Sequence, residues 1–217
     1  MKKLFGVLSV ICVVSSASVF AQTGYKGAYV VDDIGPAGGR IFYVDGVGDK
    51  KMLPGTKRYL EAASYDAIEK SVWSNITNTP ILVKPTAKGS NPQTLVAGTS
   101  KAIGAGQTNT KNIIFQNGHK DSAAKRCVGF DQGNFHDWFL PSKDELDLIY
   151  NVLKVDCCID DFSDVYWSSS EYSSELSNFN SNSAWSRIFS ESGVEGVISW
   201  GDFDKKNTNA VRCIRSF

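Results

Sequence analysis

The chain has 217 residues, 42% of them hydrophobic, 12% aromatic and 21% charged, and its 23 basic residues balance its 23 acidic ones. That aromatic content excludes a disordered chain, and the lack of a basic surplus or stripe excludes a dedicated nucleic-acid binder, which neutralises phosphates with clustered Lys and Arg. Setting aside an N-terminal export segment leaves 196 residues, enough for one well-buried core but small for two domains.

Residues 1–21 have the pattern of a secretory signal peptide. Lys2 and Lys3 form a charged start, Leu4 to Val14 an apolar run, and Val19-Phe20-Ala21 a small-residue cleavage site before Gln22. The apolar run is shorter than the ~20 residues a membrane-spanning helix needs, and no basic stop-transfer flank follows it. Cys12 lies inside this run behind the bulky Ile11, a poor setting for lipidation. Loss of Lys2 and Lys3 leaves 21 basic residues against 23 acidic ones. The rest of the sequence has no transmembrane segment, so periplasm, cell surface or medium is the expected location.

Ala28 to Val31 and Arg40 to Val44 read as two strands around the turn-forming Gly35-Pro36-Ala37-Gly38-Gly39. Arg58 to Ala63 supplies another strand. Residues 74–110, with 21 Ser, Thr, Asn, Pro or Gly out of 37, read as mostly irregular loop. Helices are predicted over Thr108 to Gln116 and Lys120 to Val128. A third is predicted over Lys143 to Leu153, where Ser142 and Glu145 form a capping box and Leu146, Ile149, Tyr150 and Leu153 fall on one face. The pattern then returns to β: Tyr166 to Ser170, Ala184 to Phe189, Val197 to Trp200 and Ala210 to Phe217. Two to three helices among antiparallel strands make the fold class α+β.

Four cysteines follow the export segment, and in an exported chain Cys127, Cys157, Cys158 and Cys213 allow three pairings. Adjacent Cys157 and Cys158 can join each other only through a strained vicinal bridge, and the other two pairings tie Cys127 and Cys213 to that dipeptide. Cys127 to Cys213 is the bridge we expect. The dipeptide lacks the Cys-x-x-Cys spacing of thiol exchange.

Enzymatic signals are few. The two histidines are His119 and His136, and neither a Gly-x-Ser-x-Gly elbow nor a phosphate-binding Gly-Lys-Ser/Thr loop is present. His136-Asp137 has two members of a nucleophilic arrangement but reads as loop, so no catalytic residue is assigned. Cysteines and histidines are too scattered for zinc. Asp131, Asn134 and Asp137, and Asp160, Asp161 and Asp164, offer hard oxygens to calcium, but they lack EF-hand spacing and read as solvated turn acids. No cofactor is assigned. Among the aromatics, Trp138 and Trp167 read as core. Tyr172, Trp185 and the Ser/Asn-rich loop between them read as ligand candidates, because hydroxyl and amide groups on a β-rich rim suit polyhydroxylated partners. Arg212 and Arg215 fall on opposite faces of a terminal strand, so at least one points inward and needs a carboxylate, with Asp137, Asp144 or Glu171 as candidates; structural pairing is the reading for Arg215.

Six phrases in order carry a resemblance: Gly35 to Val44, Tyr59 to Ala63, Ile103 to Gly106 with Asn109-Thr110, Asp137 to Leu146, Tyr166 to Tyr172 and Val211 to Phe217. Over residues 35–217, with 22–34 as an N-terminal segment, the chain resembles the bacterial exported domain named after the C-terminal region of the Legionella collagen-like protein. The Leu140-Pro141-Ser142 helix start before a Trp-rich β region also resembles C-type-lectin-like folds. The resemblance implies such a scaffold, no general enzymatic activity, and adhesion through glycans, sulfated ones included. The Gly-X-Y stalk of the collagen-like protein is missing here. For a sulfated partner the expected accessible cations are Lys143, Arg187, Lys205, Lys206 and Arg212. The expectation is a non-catalytic recognition module for a glycan, with an envelope or host protein as the alternative partner.

Overall fold

The first described strand, β1 (Arg40–Val44), leaves the tight Gly-rich turn and runs antiparallel to β2 (Tyr59–Ala62). The turn needs its glycines: Gly38 has a φ of +80°, and a Cβ on Gly39 would lie 2.0 Å from the Ala62 carbonyl oxygen. The computed structural model describes residues 29–45, 59–84, 95–157, 162, 165–172, 182–189 and 200–217. The export segment, Cys158, the acidic group Asp160, Asp161 and Asp164, and the loop between Tyr172 and Asn182 lie outside them.

Downstream come β3 (Ile68–Val72), β4 (Leu82–Val83), β5 (Val96–Ala97), α1 (Gly106–Ile114), α2 (Ala123–Val128) and α3 (Lys143–Leu148). A π-helical segment (Ile149–Asp156) continues α3 and leads to β6 (Val165–Glu171), β7 (Ser183–Ile188), β8 (Trp200–Asp204), β9 (Thr208–Val211) and β10 (Ile214–Ser216). Among the described residues one sheet has the order β1-β2-β10 and a second β3-β9-β6-β7-β8, with β4-β5 as a small ladder. The pairs are antiparallel except β6 with β9. The class is α+β.

Two apolar clusters fill the interior. One gathers Trp73, Ile113, Leu140, Trp138 and Trp167 around the Cys127–Cys213 disulfide, and the other gathers Phe42, Leu60, Leu146, Ile149, Tyr166, Phe189 and Ile214. The three buried indoles are satisfied: Trp73 donates to the Ser168 carbonyl at 2.7 Å, Trp167 to Ser71 at 2.8 Å and Trp138 to Phe135 at 2.9 Å. Apolar bulk thus enters the core without an orphaned donor.

Several expectations need correction. Residues 29–31 form no strand, because Asp32 turns the chain with a φ of 73° and its neighbour Asp33 caps Val30 N–H through Oδ2 at 2.8 Å. The first two helices begin at Gly106 and Ala123, not at Thr108 and Lys120. Gly106 suits its close setting, since a Cβ there would meet Glu145 Oε2 at 2.3 Å. The predicted helix from Lys143 to Leu153 is α-helical only to Leu148. It then widens, as the i→i+5 bond from Cys157 N–H to the Val152 carbonyl (2.9 Å) records, which keeps Ile149 and Leu153 buried.

The predicted terminal strand is two strands in two different sheets, with Arg212 and Cys213 between them. This break removes the strict alternation, so Arg212 and Arg215 are both buried, at 2% and 4% exposure. Arg212 donates from Nε to Asp66 at 2.5 Å, and Asp66 also accepts from the Tyr166 hydroxyl at 3.0 Å. Arg215 meets Asp137 (2.8 Å) and its cross-strand partner Glu61 (3.1 Å).

Glu145 closes the capping box at the start of α3 and also accepts from Gly104 N–H at 2.8 Å. It is wholly buried, and burial pushes its carboxyl from the usual 4.5 up to about 7, against the opposing N–H bonds from Ser142, Gly104 and Gly106. A carboxyl raised on folding stabilises fully below its unfolded pKa and loses that contribution as pH climbs through the folded one. Urea-denaturation free energies should therefore fall by on the order of 3 kcal/mol between pH 4.5 and 7 because of this group. The Glu145→Gln variant should lack that part of the slope; an unchanged slope would contradict the assignment.

Candidate functional site

On β7, alternation sends Trp185 and Arg187 to the same face of the sheet. Register places Trp200 of β8 directly opposite Arg187, so two indoles and a guanidinium share one patch. The Trp185 and Trp200 rings meet edge to face with centroids 6.3 Å apart, and Tyr172, at the end of β6, meets Trp185 at 4.9 Å. The Arg187 guanidinium carbon lies 3.9 Å from the Tyr150 ring centroid and 5.0 Å from that of Trp200.

The helical layer supplies the charge. Asp147 of α3 accepts from Arg187 Nη1 at 2.5 Å and from Trp200 Nε1 at 3.2 Å, tying helix to sheet. Lys143, the first residue of α3, anchors its N–H on Ser170 Oγ at 3.0 Å, and its ammonium stands 4.1 Å from the Trp200 centroid and 5.2 Å from that of Trp185. Lys101 arrives from the loop before α1, with its ammonium 5.4 Å from the Trp185 centroid. That loop is clasped by the helix start: the Lys101 carbonyl accepts from Asp144 N–H at 2.9 Å, the Ala102 carbonyl from Ser142 Oγ at 2.9 Å, and Gly104 N–H donates to Glu145.

Lys101, Lys143, Tyr172, Trp185 and Trp200 are half-buried, whereas Arg187 is buried. Desolvation of Asp144 pushes its carboxyl up, against the attraction of Lys143 and Lys101. Burial lowers the Arg187 guanidinium, opposed by Asp147 and Tyr150. The patch can present ammonium groups and aromatic surface to a polar, electron-rich partner.

Of the sequence-derived candidates, Lys143, Tyr172, Trp185 and Arg187 come together here. Arg187, expected as an accessible cation, is instead 6% exposed at its side chain, held by Asp147 and Tyr150. Lys205 is corrected likewise: fully buried, it pairs with Glu171 and sits 4.7 Å from the Trp73 ring centroid, and burial lowers its ammonium pKa. Arg212 is spent on Asp66 in the interior. Lys206 is exposed, with a side chain 74% accessible, and pairs with Asp204 at 3.1 Å on the β8–β9 turn.

Sequence reasoning missed Lys101, Asp147 and Tyr150, and left Trp200 unassigned among the aromatics. Lys101 gave no local signal, because only the tertiary clasp at the helix start brings it over. Trp200 and Arg187 were findable in principle, since antiparallel β7 and β8 set them opposite one another, but residues 190–199 hide the register in sequence.

His136 is exposed and lies 3.9 Å from Asp131, while Asp137 is committed to Arg215. The two side chains, read from sequence as loop residues, are thus turned to different partners. No group of three or more metal-ligating acids, histidines or cysteines occurs among the described residues. No helix among them is long and apolar enough to cross a membrane. Compared with known proteins, the chain matches no family model and no curated protein.

Proposed function

We propose that this chain is an exported, non-catalytic recognition module that binds glycans, sulfated ones included, through the patch of Lys101, Lys143, Tyr172, Trp185 and Trp200. The observation that carries the reading is the convergence of three half-buried aromatic rings with two lysine ammoniums on one sheet face. Aromatic faces and edges suit the C–H and O–H surface of a sugar, and the ammoniums suit its acceptor oxygens or anionic substituents. The commitment of Asp137 to Arg215 and the exposure of His136 favour binding over catalysis. A C-type-lectin-like scaffold, and kinship with the C-terminal domain of the Legionella collagen-like protein, belong to the same proposal. They are supported by the Leu140-Pro141-Ser142 helix start leading into the tryptophan-bearing sheet.

Trp185→Ala should weaken glycan binding by about tenfold or more, the loss of a buried aromatic contact at a binding site. Lys206→Ala, on the far turn, should stay within about twofold of wild type. Affinities measured by calorimetry for the two variants decide the matter; equal losses would move the site away from this patch. Docking of an envelope or host protein is the second reading, and Phe115, 82% exposed beyond the end of α1, favours it. Such docking should resist salt and survive Trp185→Ala.

A further inference from the structure

The rings of the site are not bare. Trp200 carries the Lys143 ammonium at 4.1 Å and the Arg187 guanidinium at 5.0 Å, and Trp185 carries Lys143 at 5.2 Å and Lys101 at 5.4 Å. Tyr172 closes on Trp185 edge-on. A neutral sugar stacks its C–H face on an open ring, and here it would have to displace cations held by the ring quadrupoles. Arg187 is neutralised by Asp147, whereas Lys101 and Lys143 have no carboxylate at ion-pairing distance among the described residues.

These observations describe two ammonium groups held on aromatic rings with no carboxylate at ion-pairing distance among the described residues. Three cations share this face with three carboxylates, Asp144, Asp147 and Asp202, the last directly opposite Trp185, so what sets Lys101 and Lys143 apart is that neither is ion-paired among the described residues while both stand against the rings. Resting on the glycan reading above, we propose that Lys143 is the specificity-determining residue of this site. It selects a saccharide residue bearing an anionic group and, by capping Trp185 and Trp200, excludes neutral saccharides. Carboxylate and sulfate ester share the chemistry required, an anionic oxygen placed against the ammonium.

The test uses three probes of one backbone: a hexuronic acid–N-acetylhexosamine disaccharide, the same disaccharide with its carboxyl reduced to a hydroxymethyl group, and the reduced form bearing one sulfate ester. Calorimetric titration of wild type, Lys143→Gln and Lys101→Gln is accompanied by thermal melts to verify folding. Wild type should bind the charged disaccharides about tenfold or more tightly over the reduced one. The ratio between the two charged forms identifies which anion fits better, and preference for either supports the proposal. Lys143→Gln should weaken charged-probe binding by about tenfold and strengthen binding of the neutral probe. Lys101→Gln should weaken the charged probes while Lys143 still shuts out the neutral one. Wild type taking the neutral probe as tightly as the charged ones would overturn the proposal and leave glycan binding intact. Lys143→Gln with undiminished discrimination would also overturn it, and no binding of any probe by wild type would remove the glycan reading along with it.

Discussion

Replacing both Cys127 and Cys213 by alanine is expected to lower the unfolding free energy by up to about 4.5 kcal/mol. The bridge joins positions 86 residues apart, from the last turn of α2 to the break between β9 and β10. Cross-linking so distant a pair removes many conformations from the unfolded chain, and the chain-entropy relation gives that magnitude as a ceiling which residual unfolded structure reduces. Both cysteines are fully buried in the cluster of Trp73, Trp138 and Trp167. The Cys213 carbonyl also accepts from Ala63 N–H at 2.9 Å, so the bridge holds the point at which the chain passes from one sheet to the other. Urea midpoints of the double variant and of wild type provide the comparison, and midpoints that coincide would show that the bridge contributes nothing. Because the sulfurs are inaccessible in the native state, reductant should act on wild type only at the rate of opening.

Arg215→Met should cost about 3–5 kcal/mol at pH 7, the range for removing one partner of a buried ion pair. Glu61 is fully buried on the central strand of the three-stranded sheet. Its Oε1 accepts from Ala37 N–H (3.0 Å) and Gly39 N–H (2.8 Å), and its Oε2 accepts from Arg215. Even with these bonds, burial pushes the Glu61 carboxyl above its ordinary value. Without Arg215, the remaining N–H groups face a buried charge with no counter-ion, and the carboxyl rises further. Protonation then relieves the penalty, so the cost of Arg215→Met should shrink as pH falls from 7 towards 5. Asp137, with a side chain 40% exposed, is solvated when released and adds little. Glu61→Gln in the Arg215→Met background should recover part of the loss at pH 7. If the single variant costs the same at both pH values, Glu61 is not the source of the penalty.

Much of the fold is written in local pattern. The strand Arg40 to Val44, the capping box of Ser142 and Glu145, and the β-rich run from Tyr166 follow from β-branched and aromatic composition and from capping chemistry that a few neighbouring residues determine. The Cys127–Cys213 bridge and the core placement of Trp138 and Trp167 were also legible. The strand Ile68 to Val72 escaped because its Glu69 and Lys70 are exposed on a short edge strand, and its pairing with β9 spans most of the chain. The π-helical continuation of α3 escaped because Leu146, Ile149 and Leu153 fit an ordinary helical face as well as a widened one.

The site was half legible for a related reason. Tyr172, Trp185 and Lys143 stood out by residue type, but charge alone does not reveal which cations stay outside. Lys205 and Arg212 look like surface residues until Glu171 and Asp66 are brought to them from 34 and 146 positions away. Lys101 becomes a site residue only because α3 clasps its loop.

Whether the protein binds glycans at all is the first thing to measure. Presenting it to immobilised sulfated and neutral glycans at low and moderate salt, in calcium and in chelator, decides this in one measurement. We predict selective binding to anionic saccharides that weakens as salt screens Lys101 and Lys143 and that is the same in chelator as in calcium. Folded protein that remains silent across the whole set would contradict the account.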